Sequence, residues 1–282
     1  MFSLLHNFEP TPIILSIGFI KIYWYGLFMI IAILSGLFVS FKIGKYHNLK
    51  EKTILDLAFY LIIFGIIGAR IYDVFLELPY YLKDPTAIFR IWQGGLAIHG
   101  GLLGGAIGLY YFTKKNNSSL IKLGAIIAPG LALGQAIGRW GNYFNQELFG
   151  LPTTLPWGIP INIINRPELY ITNTYFHPTF LYEFTGNLVI FGILLYLNLT
   201  IIKQINKKSS QESIFKDQEL KKEAIDLKFV ILAYLFLYSL LRLSLELVRI
   251  DYTPTLFGIR WPQIISIIII SSIIYYKVKN KE

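Results

Sequence analysis

"LGAIIAPGLALGQAIGRWGNYFNQELFG", residues 123–150, changes character halfway along. From 123 to 138 no side chain is charged, and most residues are Ala, Ile, Leu or Gly. Then Arg139, Asn142, Asn145, Gln146 and Glu147 arrive within nine positions. At 1.5 Å rise per residue the apolar part makes most of a bilayer-crossing helix, which needs about 20 residues. The polar end is what such a helix has no reason to carry unless that end does something.

The rest of the chain is built the same way. Of its 282 residues 54% are hydrophobic and only 15% charged, with a mean hydropathy of +0.53; a soluble domain has about 25% charged residues. Runs near 19–41, 53–76, 95–113, 120–144, 178–202, 228–248 and 262–276 each have the length and apolarity of a span. They predict an all-α polytopic membrane protein with seven transmembrane helices, one integral-membrane domain covering 1–282. The two longest connections, 145–177 and 203–227, do not read as a soluble domain. With no cysteine, disulfides, thiolate metal sites and a cysteine nucleophile are excluded. The opening residues, MFSLLHNFEP, lack the basic start and small-residue cleavage site of a signal peptide.

A formal charge of +9 could suggest nucleic acid, but its distribution says otherwise. On alternate sides of seven spans, seventeen Lys and Arg residues fall at 42–52, 114–122, 203–228 and 277–281, against six at Lys21, Lys83, Arg90, Arg166, Arg249 and Arg260. Arg70, Arg139 and Arg242 fall inside spans and complete the 26. That asymmetry follows the positive-inside rule, with the N-terminus outside and the C-terminus cytoplasmic. The basicity is topology, so no nucleic-acid partner is expected, and 138–150 lies at the outer end of the fourth span.

An ionised side chain deep in a bilayer costs at least about 2.5–3.5 kcal/mol on insertion scales, so such residues face an interior cavity. Arg139, Glu147, Glu183, Arg242 and Glu246 all fall toward outer ends, as do Arg70 and His99. Drawn from five or six helices at one depth, they predict a site. On the sixth span Tyr238, Arg242, Glu246 and Arg249 are spaced 4, 4 and 3 apart, one polar stripe on a Leu-rich helix. A purely structural Arg–Glu pair is the plainer reading of its outer end. Gly100, Gly104 and Gly108, like Gly130, Gly134 and Gly138, form consecutive GxxxG units that let helices pack closely in lipid. Gly94, Gly95, Gly100 and Gly101 flank His99 and predict a broken or re-entrant entry with exposed backbone.

Two guanidiniums, Arg139 and Arg242, converging in an apolar cavity ask for an anion with several oxygens, and a phosphate or phosphodiester suits their fork geometry. Glu147, Glu183 and Glu246 would hold or balance them, and Asn142 and Asn145 could bind polar substrate groups. No HExxH, GxSxG or Walker spacing occurs, so neither a metal nor a cofactor is expected. The residues alone thus describe a site that binds and activates a phosphate-bearing molecule of the membrane. A transporter or flippase with an anion site is the rival from another class, though the inverted repeats of broken helices it would carry are not found. A scaffold using Arg–Glu pairs only for packing is the other.

The chain also resembles a known family. "GRWGNYFNQELFG" (138–150) is similar to the signature of the bacterial prolipoprotein diacylglyceryl transferases, and "WYGLFM" (24–29), "GARIYDV" (68–74), "GGLAIHGGLLG" (94–104), "HPTFLYE" (177–183) and "YSLLRLSLELVR" (238–249) match in the family's order. The resemblance implies an enzyme of the bacterial cytoplasmic (inner) membrane with its site toward the outer face. It would move the diacylglyceryl group of phosphatidylglycerol to the lipobox cysteine of a prolipoprotein, forming a thioether and releasing glycerol 1-phosphate. It carries critical roles onto His99, Arg139, Arg242 and Glu147 as catalytic residues. Tyr25, Asn142, Gly150, Glu183, Tyr238 and Glu246, with Arg139, would bind phosphatidylglycerol. His99, an imidazole type whose ordinary pKa is near 6.5, is one candidate base for the thiol; a lipid phosphate oxygen or a glutamate is another. The pattern departs in places. "RIDYTP" keeps Asp251 but puts the proline at 254, Gln93 stands where an acid is frequent, and Pro262 replaces a usual glycine.

The absence of cysteine makes the topology directly testable. Single cysteines placed at Asn117, Ser209 and Thr172 should react with an impermeant reagent outside intact cells only at 172. Labelling at 117 or 209 would invert the orientation drawn from the charge split.

Overall fold

The structure, a computed structural model, describes residues 2–18, 20–208 and 216–279. Phe19, the expected start of the first span, and Ser209, in the connection expected over 203–227, lie outside the described residues. Helix α1 (Phe2–Asn7) leads into an antiparallel ribbon of β1 (Ile13–Ile17) and β2 (Ile20–Tyr23), then α2 (Trp24–Tyr46), α3 (Glu51–Leu76), α4 (Leu78–Lys83), α5 (Ile98–Lys115) and α6 (Leu120–Phe144). There follow β3 (Ile159–Pro160), β4 (Tyr175–Phe176), α7 (Thr179–Lys208), α8 (Lys216–Leu245), β5 (Thr255–Leu256), β6 (Ile259–Arg260) and α9 (Trp261–Lys279). The three ribbons are each two-stranded, pairing β1 with β2, β3 with β4 and β5 with β6.

Among the described residues six helices are long and apolar enough to cross a membrane: Trp24–Tyr46, Glu51–Leu76, Leu120–Phe144, Thr179–Gln204, Ile225–Leu245 and Trp261–Lys279. The remaining expected span, 95–113, is α5. Its five glycines, His99 and two terminal lysines make it too polar to stand with the six by composition. Helices α7 and α8 extend beyond the apolar runs 178–202 and 228–248 that the hydropathy outlines, because their charged ends continue the helical hydrogen bonding. Two compact units emerge: residues up to 39 together with those from 127 onward, and residues 40–126.

In the second unit, α3 and α5 touch backbone to backbone. A Cβ placed on Gly104 would overlap the Phe64 carbonyl, one on Gly68 would overlap the Gly100 carbonyl, and one on Gly108 would lie 2.9 Å from Phe64 Cβ. The GxxxG reading of α5 therefore holds at all three of its positions. Between α4 and α5 the chain makes 3₁₀ turns at Pro85–Phe89 and Ile91–Gln93, and then Gly94 and Gly95 take φ of 98° and 72°. These are left-handed values that a side chain resists. This is the broken entry expected before His99.

In the first unit α2 and α6 are similarly close. A Cβ on Gly36 would sit 2.8 Å from the Gly130 oxygen, and one on Gly134 3.3 Å from the Ala32 oxygen, whereas Gly138 faces open space. Residues 145–177, expected to be a bare connection, instead carry an apolar core. Leu5, Tyr143, Phe149, Ile159, Ile161, Phe176, Phe180 and Leu181 bury one another. The N-terminal segment is tied into it. His6 Nδ1 lies 2.8 Å from the Gly158 oxygen, its ring stacks on Tyr175 at 4.1 Å, and Gln146 Nε2 donates to the Pro10 oxygen at 2.7 Å. The strands of this cap are two residues long, too short to leave a period in the sequence.

The glycine seam sets a size-matched comparison. Gly104→Leu should lower the folded protein recovered from membranes, since overpacking costs about 1–3 kcal/mol even without a backbone clash. Gly105→Leu, where a Cβ meets nothing within 4 Å, should accumulate normally. Equal losses at the two positions would contradict this packing.

Candidate active site

Helix α7 opens at "HPTFLYE" because Pro178 caps its start without needing a donor and Thr179 Oγ1 hydrogen-bonds to the Leu148 carbonyl. His177 Nδ1 meets Tyr182 Oη at 3.0 Å, and Tyr182 also accepts from Trp157 Nε1 at 2.9 Å. Burial pushes the His177 imidazole below its ordinary pKa. This first turn, pinned on both sides, holds Glu183 almost fully buried, its side chain 2% exposed.

Three guanidiniums converge on that one carboxylate. Arg139 Nε of α6 lies 2.6 Å from Oε2; Arg242 Nη1 of α8 and Arg249 Nη1 lie 3.2 and 2.8 Å from Oε1. Arg242 Nη2 pairs in turn with Glu246 Oε1, and Glu246 Oε2 lies 3.0 Å from Arg260 Nη1. Arg249 Nε donates to Asp251 Oδ1 at 2.7 Å. Burial opposes the charge of Asp251, but the hydrogen bond from Arg249 and the nearby Arg260 outweigh it and hold its carboxyl below the ordinary value. The network sets four guanidiniums against three carboxylates. A buried charge left unpaired costs several kcal/mol, so each member keeps the others in place.

Beside it Asn142 forms a bridge: Arg139 Nη1 donates to Asn142 Oδ1 at 3.3 Å, and Asn142 Nδ2 donates to Glu147 Oε1 at 2.7 Å. Asn142 is buried and Glu147 exposed. Left-handed backbone at Gln146 and Leu148, φ 51° and 56°, turns the chain so that Glu147 N reaches the Asn142 carbonyl at 3.1 Å. Tyr25 packs its ring over Gly141, where a Cβ would come within 2.7 Å of it. Gly150 lies where three segments meet. Its N–H donates to the His177 carbonyl at 3.0 Å, and an added Cβ would crowd Val248, His177 and Thr179 at 2.8–3.0 Å.

The polar stripe of span six is preserved with a change of form. Helix α8 ends at Leu245, and Glu246 and Arg249 continue it as terminal turns, bonded to Arg242 and Leu245 carbonyls at 3.0 and 3.1 Å. Tyr238 stacks on Tyr234, centroids 5.9 Å apart, and makes no hydrogen bond to the network among the described residues.

Arg70, expected from the sequence at a similar depth, belongs to the second unit. In the second unit its guanidinium donates to the carbonyls of Ile88, Ala87, Gly94 and Gly95 at 2.5–2.9 Å. These donors stabilise the irregular loop before α5, which its place inside an apolar run could not reveal. His99 is exposed in the first turn of α5, its ring 6.1 Å from that of Tyr72. Arg260, read from the sequence only as a loop charge, proves to belong to the network; its sole local sign was its place next to a membrane helix.

Among the network donors, Arg139 Nη2, Arg242 Nε, Arg249 Nη2 and Arg260 Nε have no hydrogen-bond partner among the described residues. Two fixed forks, each with a spare donor, suit an anion with several oxygens.

Comparison with known proteins identifies the family. The model of the family described as prolipoprotein diacylglyceryl transferase matches residues 12–278. A phosphatidylglycerol–prolipoprotein diacylglyceryl transferase of Prochlorococcus marinus is 39% identical, over 94% of this chain and 90% of its own length. Proteins of the same description from Acaryochloris marina and Synechococcus elongatus are 40% and 38% identical, over 92% and 93% of this chain and 87% and 85% of theirs. With a family match spanning nearly its whole length, the chain belongs to the prolipoprotein diacylglyceryl transferase family.

Proposed function

We propose that the Glu183-centred network is where this transferase holds phosphatidylglycerol. There its diacylglyceryl group passes to the lipobox cysteine of a prolipoprotein, the first step of bacterial lipoprotein maturation. The observation that carries the reading is that one buried carboxylate orients three arginines that still have unused donors, Arg139 and Arg242 among them. In the reaction the cysteine sulfur attacks the glyceryl carbon, a C–S bond forms, the C–O bond to phosphate breaks, and glycerol 1-phosphate departs. The thiol proton must leave first, because the thiolate is the nucleophile; His99, a lipid phosphate oxygen and a glutamate are the candidate bases. Negative charge grows on the departing phosphate monoester, and Arg139 and Arg242, already oriented, stabilise it without reorganising. Asn142 keeps Arg139 in register with Glu147, Tyr25 and Tyr238 face the lipid, and Gly150 lets the chain close around the site.

The seven-span arrangement belongs to the same proposal. Helix α5, 18 residues long, spans about 27 Å at 1.5 Å per residue, close to the hydrocarbon thickness of about 30 Å. Its glycine face is covered by α3, which supports its placement as the remaining span. With the charge split this puts the N-terminus outside, the C-terminus in the cytoplasm and the site toward the outer face of the inner membrane. The whole chain then acts as one integral-membrane domain.

Membranes containing the protein, given phosphatidylglycerol and a lipobox peptide, should yield peptide heavier by one diacylglyceryl group. A transporter or scaffold would yield none. Arg139→Lys keeps the charge but not the fork, and should lower transfer by about 10²–10³-fold, the usual cost of a lost transition-state donor. Arg242→Ala should lower kcat by a similar factor while phosphatidylglycerol binding changes little, since an interaction made mainly in the transition state leaves ground-state affinity alone. Near-normal transfer by either variant at matched abundance would remove that arginine from the mechanism.

A further inference from the structure

We infer that Arg260 is a positioning residue of the transfer reaction, acting through Glu246 on Arg242. The inference rests on the proposal that Arg242 meets the departing phosphate.

Arg260 ends strand β6 at the base of the β5–β6 ribbon, just before α9. The ribbon turns at Phe257 and Gly258, both left-handed with φ of 50° and 78°, the two-residue geometry that brings strand ends directly opposite. Thr255 accordingly pairs with Arg260. The backbone N–H of Arg260 donates to Gln263 Oε1 at 3.0 Å, which fixes where the side chain leaves the chain. Its guanidinium then makes two kinds of contact. Nη1 lies 3.0 Å from Glu246 Oε2. The same group also donates to the Arg249 carbonyl at 2.9 Å, and Nη2 to the Asp251 carbonyl at 2.6 Å and Thr253 Oγ1 at 2.8 Å.

The first kind bears on chemistry. Glu246 is buried, its side chain 1% exposed, and its two oxygens are divided: one to Arg242, one to Arg260. Without Arg260 the whole carboxylate charge would fall to Arg242, in a setting where neighbouring charges are poorly screened. With the Asn142-bridged Glu147 counted, the site would go from four guanidiniums against four carboxylates to an excess of one negative charge. Arg242 would then be more nearly neutralised, and swung toward Glu246, with less of its field left for an incoming anion. Arg260 thus offsets the Glu246 charge and keeps Arg242 pointed. The second kind, the fork onto loop carbonyls, serves only to hold 249–253 in shape. Charge and fork can be separated by substitution, because lysine supplies the first and not the second.

The experiment measures kcat and KM for phosphatidylglycerol, with thermal stability, for the full-length Arg260→Gln and Arg260→Lys proteins beside Arg242→Ala. Arg260→Gln should lower kcat about tenfold or more, within the coupling range of contacting residues, while KM moves less than about threefold. Arg260→Lys should recover most of kcat although it loses stability as Gln does. If Lys is as slow as Gln, if Gln keeps the parental kcat, or if only KM changes, the inference is overturned. Should Arg260→Gln fail to accumulate, the lysine variant decides alone: a near-parental kcat supports the inference and a tenfold loss ends it. An active Arg242→Ala protein would instead discard the reading on which the inference stands. A dead Arg242→Ala with a kcat-neutral Arg260→Gln discards the inference alone.

Discussion

The buried charges of the first unit are organised around the Glu183 carboxylate. Two oxygens receive three guanidiniums, contributed by α6, α8 and the segment after α8. A carboxylate held away from water in this way is stable only if its partners stay put, so the demand for rigidity passes outward. Thr179 and Pro178 pin the turn that carries Glu183, Gly150 fastens the chain between His177 and Val248, and Asp251 and Arg260 close the far side. Arg139 and Arg242 share a single anchor, so neither can be retuned alone.

The second unit solves a different problem with glycine. Apolar burial gives little drive between helices in lipid, and close backbone approach supplies dispersion contacts in its place. Where α3 meets α5, and where α2 meets α6, side-chain-free positions face carbonyl groups. Arg70 then stabilises the one stretch that glycine leaves without regular structure. Its planar fork reaches several carbonyls at once, satisfying acceptors that an irregular loop would otherwise leave without partners.

Much of this was legible in the sequence, and the exceptions have physical causes. Long apolar runs marked the helices because each must be apolar along its length to meet lipid. Charges such as Arg139, Glu183 and Arg242 stood out because they are costly there. The short ribbons and the apolar cap over 145–177 left no trace, since strands of two residues have no period and their burial depends on distant partners such as Leu5. Arg260 could not be told from a solvent-exposed loop charge, because its role comes from a fold-back that only tertiary structure creates. The carbonyl partners of Arg70 could not be foreseen for the opposite reason: its neighbours in sequence are apolar, while those partners lie 17 to 25 residues away. The glycines that let α5 pack so closely also dilute its apolarity.

The seam between α3 and α5 also constrains traffic. Along Gly68, Gly100, Gly104 and Gly108 there is no room for even one added methyl group. An acyl chain is far thicker than a methyl, so a lipid diffusing sideways in the bilayer cannot slip between these two helices. Whatever doorway admits a two-tailed substrate must open along a different helix boundary.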